Sequence, residues 1–178
     1  MYRLRLESCL LLGAALLVGC SDRKTPTAPA GPVFSTSGAK RAMVPFKERY
    51  QATGTAGPST ACPILQVRLH GGGTATLLGR YTITNSHCLD PSTGEFTNGA
   101  FTKTAANGDQ LFGTYHGQTL PDNTLVGSLA FTGGTGRFAD ATGNTTMRGR
   151  LTIDPSQPEP LHIVLTIEGT ISSPGGLK

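Results

Sequence analysis

The sequence predicts an all-β fold, a single antiparallel barrel of about eight strands, and three observations carry that expectation. Apolar residues recur with a period of two in one segment after another. Those segments are separated by short clusters of glycine, asparagine, aspartate and proline, with Asn107-Gly108 the clearest two-residue hairpin signal. No long segment shows the 3.6-residue apolar spacing and terminal caps of a helix, and the chain has no tryptophan. Hairpins that follow one another in sequence favour an up-and-down barrel over a sandwich, because closure removes the exposed sheet edges. An interior of that size is either filled by side chains or able to hold one small ligand.

The amino end is set apart from the barrel. Arg3 and Arg5 give a short basic start, Ser8 to Val18 are mostly apolar, and Leu17-Val18-Gly19-Cys20 closes the run with a small residue before a cysteine. The apolar run is too short to span a bilayer, so residues 1–19 read as a secretory signal peptide. The four-residue ending resembles the bacterial lipobox, which implies that Cys20 is lipidated, carrying palmitate or a related acyl chain, and anchors the protein to a membrane. Ser21 after it implies release to the outer membrane, facing the periplasm or the surface. Residues 20–43 are then a linker of threonine, proline, alanine, glycine and serine with too little to bury to offset its ordering entropy. The barrel domain is expected over residues 44–178.

Within that domain Phe46 to Gln51 opens the first strand. Leu65, Val67 and Leu69 alternate with polar residues in the second, and Gly71-Gly72-Gly73 is expected to turn the chain. The third carries Leu77, Leu78, Tyr81 and Ile83, with a bulge or bend at Gly79. Asp90-Pro91-Ser92-Thr93-Gly94 has turn chemistry throughout. Glu95 to Thr104 is interrupted at Asn98-Gly99, and Asn107-Gly108 leads into Gln110 to Gln118. Pro121-Asp122-Asn123 turns into a strand with Leu125, Leu129 and Phe131, and Thr145 to Ile153 returns. A polar loop from Asp154 to Pro160 precedes the last strand, Leu161 to Ile171.

Between Phe131 and Thr145 lies the stretch around which the rest is arranged. Gly133, Gly134, Gly136 and Gly143 bracket Arg137 and Phe138, and the glycines are suited to the positive φ angles or the close backbone approach of a chain reversal. Gly133-Gly134-Thr135-Gly136-Arg137-Phe138, followed by Ala141-Thr142-Gly143, resembles the G-G-T-G-R-F-x-x-A-x-G stretch of dirigent proteins and the related motif of allene oxide cyclases and their bacterial relatives. Ala105-Ala106-Asn107-Gly108-Asp109 leading into Leu111-Phe112-Gly113 is similar to the strand pair before that motif in the bacterial members. The resemblance implies an eight-stranded, calycin-like barrel with a central cavity. It carries no catalytic residue onto this chain.

Removing the signal leaves three cysteines, and with Cys20 lipidated an even pair remains, Cys62 and Cys88, in an oxidising compartment. A disulfide is the expected state. A metal site of Cys62, His70, His87 and Cys88 is disfavoured, because neighbours His87 and Cys88 point to opposite faces of a strand and no C-x-x-C pair is present. No metal or other cofactor is expected.

The formal charge of +4 lies in the signal and linker, since nine basic residues balance nine acidic ones from Val44 onward. The domain is therefore neutral, which gives no footprint for nucleic acid. Arg137 could meet a carboxylate or phosphate, but pairing with Asp140 or a nearby carbonyl is the expected role. Arg148, Arg150 and Glu168 are expected on outward faces, and His116, next to Tyr115, has no partner by spacing. No nucleophile elbow, zinc-binding helix, phosphate loop or dinucleotide fingerprint is present.

The function expected is a non-enzymatic module that binds a small apolar ligand or an envelope component. If a cavity exists, Tyr81, Phe101, Tyr115 and Phe131 are the expected lining. An isomerase or cyclase in the same cavity, or a purely structural barrel, are the alternatives. A histidine or carboxylate inside a continuous cavity would favour the enzyme, a dry cavity would favour binding, and a filled interior would favour the structural role.

Overall fold

The computed structural model describes residues 41–172 and Pro174. The signal segment, Cys20 and the linker up to residue 40 lie outside the described residues.

Eight strands, β1 (Met43–Gly57), β2 (Leu65–Ala75), β3 (Gly79–Leu89), β4 (Glu95–Ala105), β5 (Gln110–Thr119), β6 (Thr124–Gly134), β7 (Gly143–Ile153) and β8 (Leu161–Ser172), pair in sequence order as a closed barrel. Every pairing is antiparallel, and β8 returns to β1 over the register Met43↔Ser172 to Gly54↔Leu161. The period-two pattern explains the closure. In β1, Phe46, Glu48, Tyr50 and Ala52 point inward while Lys47, Arg49 and Gln51 face water, and β8 repeats this with Ile163, Leu165 and Ile167 inside.

This topology gathers the loops spanning 58–64, 90–94, 120–123 and 154–160 at one end. The tight turns at 76–78 and 106–109, the glycine stretch and both strand termini lie at the other. That second end is closed. Phe46, Leu111, Phe138 and Ile171 have no exposed surface there, and Leu78 packs with them. The edge-to-face pair Phe46–Phe131, with ring centroids 4.9 Å apart, continues the plug inward.

Two local expectations are corrected, at Gly71 to Gly73 and at Arg137, and the interruption at Asn98-Gly99 takes the form of a bulge. Gly71 to Gly73 do not turn the chain but lie within β2, where Gly73 pairs with Tyr50 on one side and Tyr81 on the other. A Cβ at Gly73 would sit 2.1 Å from the Arg49 carbonyl oxygen and 2.7 Å from Tyr81 Oη, so these glycines permit close strand approach. The turn falls at Thr76–Leu78, where Leu77 and Gly79 take positive φ. Asn98-Gly99 is a bulge within β4, with Asn98 at φ 53°, after which the inward residues change phase from Phe96 to Gly99, Phe101, Lys103 and Ala105. Arg137 does not pair with Asp140: its Nε lies 3.5 Å from Asp109 Oδ2, while Asp140 pairs with Arg41 at 2.8 Å.

The glycine stretch reverses the chain between β6 and β7 and contains a single 3₁₀ turn, Gly136–Phe138, which drives Phe138 into the plug. Gly133, Gly136 and Gly143 all take positive φ. At Gly136, with φ 53°, a Cβ would also meet Asp109 Oδ1 at 2.0 Å.

Candidate functional site

Above the plug the barrel encloses a cavity of about 220 Å³. It runs from Glu48 and Lys103 in the middle of the strands to Leu89, Thr119, Leu151, Ile153 and Leu161 at the loop end. Ile153 is 55% exposed, so the cavity meets solvent there. One wall, on β6, β7 and β8, is aliphatic: Leu125, Leu129, Met147, Ile163, Leu165 and Ile167. The facing wall, on β1, β3, β4 and β5, carries Tyr50, Asn85, His87, Phe96, Phe101 and Tyr115. An apolar volume with a few convergent polar groups is the usual form of a small-molecule site.

At the floor, Lys103 Nζ donates to Glu48 Oε2 and Tyr81 Oη donates to Glu48 Oε1, so both carboxylate oxygens are engaged. Lys103 and Glu48 side chains are 1% and 0% exposed. The ammonium also lies over the faces of Phe101, at 4.8 Å, Phe46 and Tyr81, at 5.5 Å, and Phe131, at 5.9 Å. Burial pulls the Lys103 pKa down, and the neighbouring Glu48 charge opposes that. Burial pushes the Tyr81 phenol well up, with the Glu48 charge adding to it.

Nearer the mouth, His87 Nδ1 and Tyr115 Oη are 2.8 Å apart, and Asn85 Nδ2 donates to Tyr50 Oη at 3.2 Å. Burial lowers the His87 pKa to about 4, so the ring is neutral at physiological pH. Burial raises the Tyr50 and Tyr115 phenols. His87 Nε2 has no hydrogen-bond partner among the described residues and is not sealed off within the wall.

Cys62 and Cys88 form the disulfide, with an S–S distance of 2.02 Å, tying the loop after β1 to the end of β3 beside His87. His87 faces the cavity and its neighbour Cys88 faces the loop. No cluster of three metal-ligating side chains occurs among the described residues.

Of the four residues expected to line a cavity, Phe101 and Tyr115 line this one. Tyr81 and Phe131 are equally buried but belong to the packed floor around Lys103. His116, Arg148, Arg150 and Glu168 are exposed on the outer face. Sequence reasoning missed Glu48, Lys103 and the inward role of His87. The available signal was a charge in apolar register: Glu48 is in phase with Phe46 and Tyr50, and Lys103 with Phe101 and Ala105.

No family model matches the chain, and no curated protein matches it. Among solved structures it is similar to the pterocarpan synthase dirigent protein GePTS1, at 12% identity over 79% of this chain and 90% of that chain, with a TM-score of 0.48. The barrel assignment rests on the strand pairing, and no residue role is carried across.

Proposed function

We propose that this protein is an exported, lipid-anchored bacterial barrel that binds one small, mainly apolar molecule in its interior. The observation that carries the reading is the cavity of about 220 Å³ with an aliphatic wall facing a sparsely polar one. An engineered apolar cavity of about 150 Å³ takes up benzene, so the space here suits a ligand of roughly ten non-hydrogen atoms. The Cys62–Cys88 bridge supports export to an oxidising compartment, the lipobox-like Leu17-Val18-Gly19-Cys20 supports a lipid anchor, and Ser21 after it supports the outer membrane as its place.

Catalysis is the second reading, favoured by the presence of His87 within the cavity. It ranks below binding for two reasons. A histidine with a pKa of about 4 is a weak base at neutral pH, where general-base catalysis is best served by a group titrating near the working pH. The Glu48 carboxylate is already held by Lys103 and Tyr81.

Titration with the neutral fluorophore 1-aminonaphthalene tests the first reading. One-to-one saturable uptake is expected, and Leu129→Phe combined with Leu165→Phe should abolish it while the protein stays folded by circular dichroism. Equal uptake by the filled variant would refute interior binding. Exchange of α-protons of a bound ketone with deuterated water, absent in His87→Phe, would instead promote the catalytic reading. Membrane association that persists in Cys20→Ala would remove the lipid anchor.

A further inference from the structure

We infer that the cavity selects uncharged ligands, with a hydroxyl as the polar end and His87 Nε2 as its hydrogen-bond partner, and rejects carboxylates of the same size. This rests on the interior-binding reading and adds the chemical class of the occupant.

The electrostatics of the wall carry the argument. The ionisable side chains lining the cavity are Glu48, Tyr50, His87, Lys103 and Tyr115. Glu48 and Lys103 neutralise each other at the floor, with side chains almost wholly inaccessible. Lys103 is further enclosed by four aromatic rings, so its charge is not offered to a guest. Tyr50 and Tyr115 resist losing a proton and His87 resists gaining one, in each case because burial penalises the charged form. The cavity therefore presents no uncompensated positive charge.

A carboxylate entering it would be desolvated against Leu125, Leu129 and Leu165 with no counter-charge, which is the costly way to bury an ion. It would enter as the neutral acid after taking up a proton. At pH 7 a simple carboxyl group is protonated in roughly one molecule in a few hundred, so its apparent affinity falls by that factor.

A hydroxyl has no such penalty; beside the Asn85 Oδ1 acceptor, which is buried without a partner in the same wall, it finds in His87 a partner able to donate or accept. His87 Nδ1 is occupied by Tyr115 at 2.8 Å, which leaves Nε2 for the guest. If Tyr115 donates to Nδ1, Nε2 carries the ring proton and donates. If Nδ1 donates to Tyr115, Nε2 accepts. A hydroxyl satisfies both tautomers, whereas a carbonyl satisfies only the first.

Calorimetric titration of the full-length protein at pH 7 with 1-octanol, octanoate and methyl octanoate tests the inference. Octanol is expected to bind on the order of a hundredfold more tightly than octanoate, and the ester, which has lost the charge, to recover most of that difference. His87→Phe should weaken octanol about five- to tenfold, the scale of one hydrogen bond. Octanoate binding as tightly as octanol, or an unchanged octanol affinity in His87→Phe, would overturn the inference while interior binding stands. Failure of all three to bind, together with failure of 1-aminonaphthalene uptake, would overturn both.

Discussion

Lys103 on β4 and Glu48 on β1 form a salt bridge inside the barrel with neither side chain more than 1% exposed. The strands are not neighbours, so the pair ties opposite parts of the wall across the interior just above the aromatic plug. It separates the filled half of the barrel from the half that holds the cavity.

Lys103→Met should therefore lower stability by about 3–5 kcal/mol, because it leaves Glu48 buried without its partner. The double variant Lys103→Met with Glu48→Leu should recover most of the loss. Urea denaturation midpoints read both, and a single variant as stable as the parent would contradict the buried pair.

His87 predicts a pH dependence. Its folded pKa is about 4, below the ordinary 6.5, so the unfolded chain binds a proton that the folded one refuses. Stability is complete above about pH 6.5 and is lost as pH falls from there towards 4, by at most about 3 kcal/mol. The Asp90, Asp122 and Asp154 carboxyls, held below their ordinary pKa chiefly by hydrogen bonds from Ser92, Thr124 and Ser156, titrate below this window. His87→Phe should flatten the profile between pH 6.5 and 4, and an unchanged profile would place the histidine in solvent.

Gly136→Val should destabilise the fold by about 2 kcal/mol or more, since a β-branched residue resists φ 53° and its Cβ would strike Asp109. Thermal unfolding checks this. Gly108→Ala is the informative companion: Gly108 has φ 86° but open space around its Cβ position, so only the backbone penalty of about 1 kcal/mol is expected.

Removing the Cys62–Cys88 bridge by a double alanine substitution should cost about 3 kcal/mol in the chain-entropy view of a 26-residue separation. Because the bridge fixes the loop beside His87, ligand affinity should fall as well. Peptide mapping without reductant should recover the linked fragment, and two free thiols would refute it.

Strand existence and closure were legible because β1, β2 and β8 alternate cleanly, and Asn107-Gly108 announces its turn. Gly71 to Gly73 misled because glycine marks both turns and close backbone approach, and only the neighbouring strands, through the Arg49 carbonyl and Tyr81 hydroxyl, decide which. The Asn98 bulge hid which face of β4 is inward, and with it the role of Lys103. The Glu48–Lys103 pair spans 55 residues of sequence, so no local spacing could join its members. Phe101, Tyr115, Tyr81 and Phe131 all share the inward phase, so alternation could not tell which of them reach the cavity and which pack around Lys103.

The central claim, that the barrel's interior receives a small molecule, is tested most directly by native mass spectrometry of the protein purified gently from its own host. The account predicts a fraction carrying one extra mass of small-molecule size, lost when Leu129→Phe and Leu165→Phe fill the cavity. A bare mass throughout, with no uptake of 1-aminonaphthalene or octanol, would contradict it and leave the outer surface as the working part of the barrel.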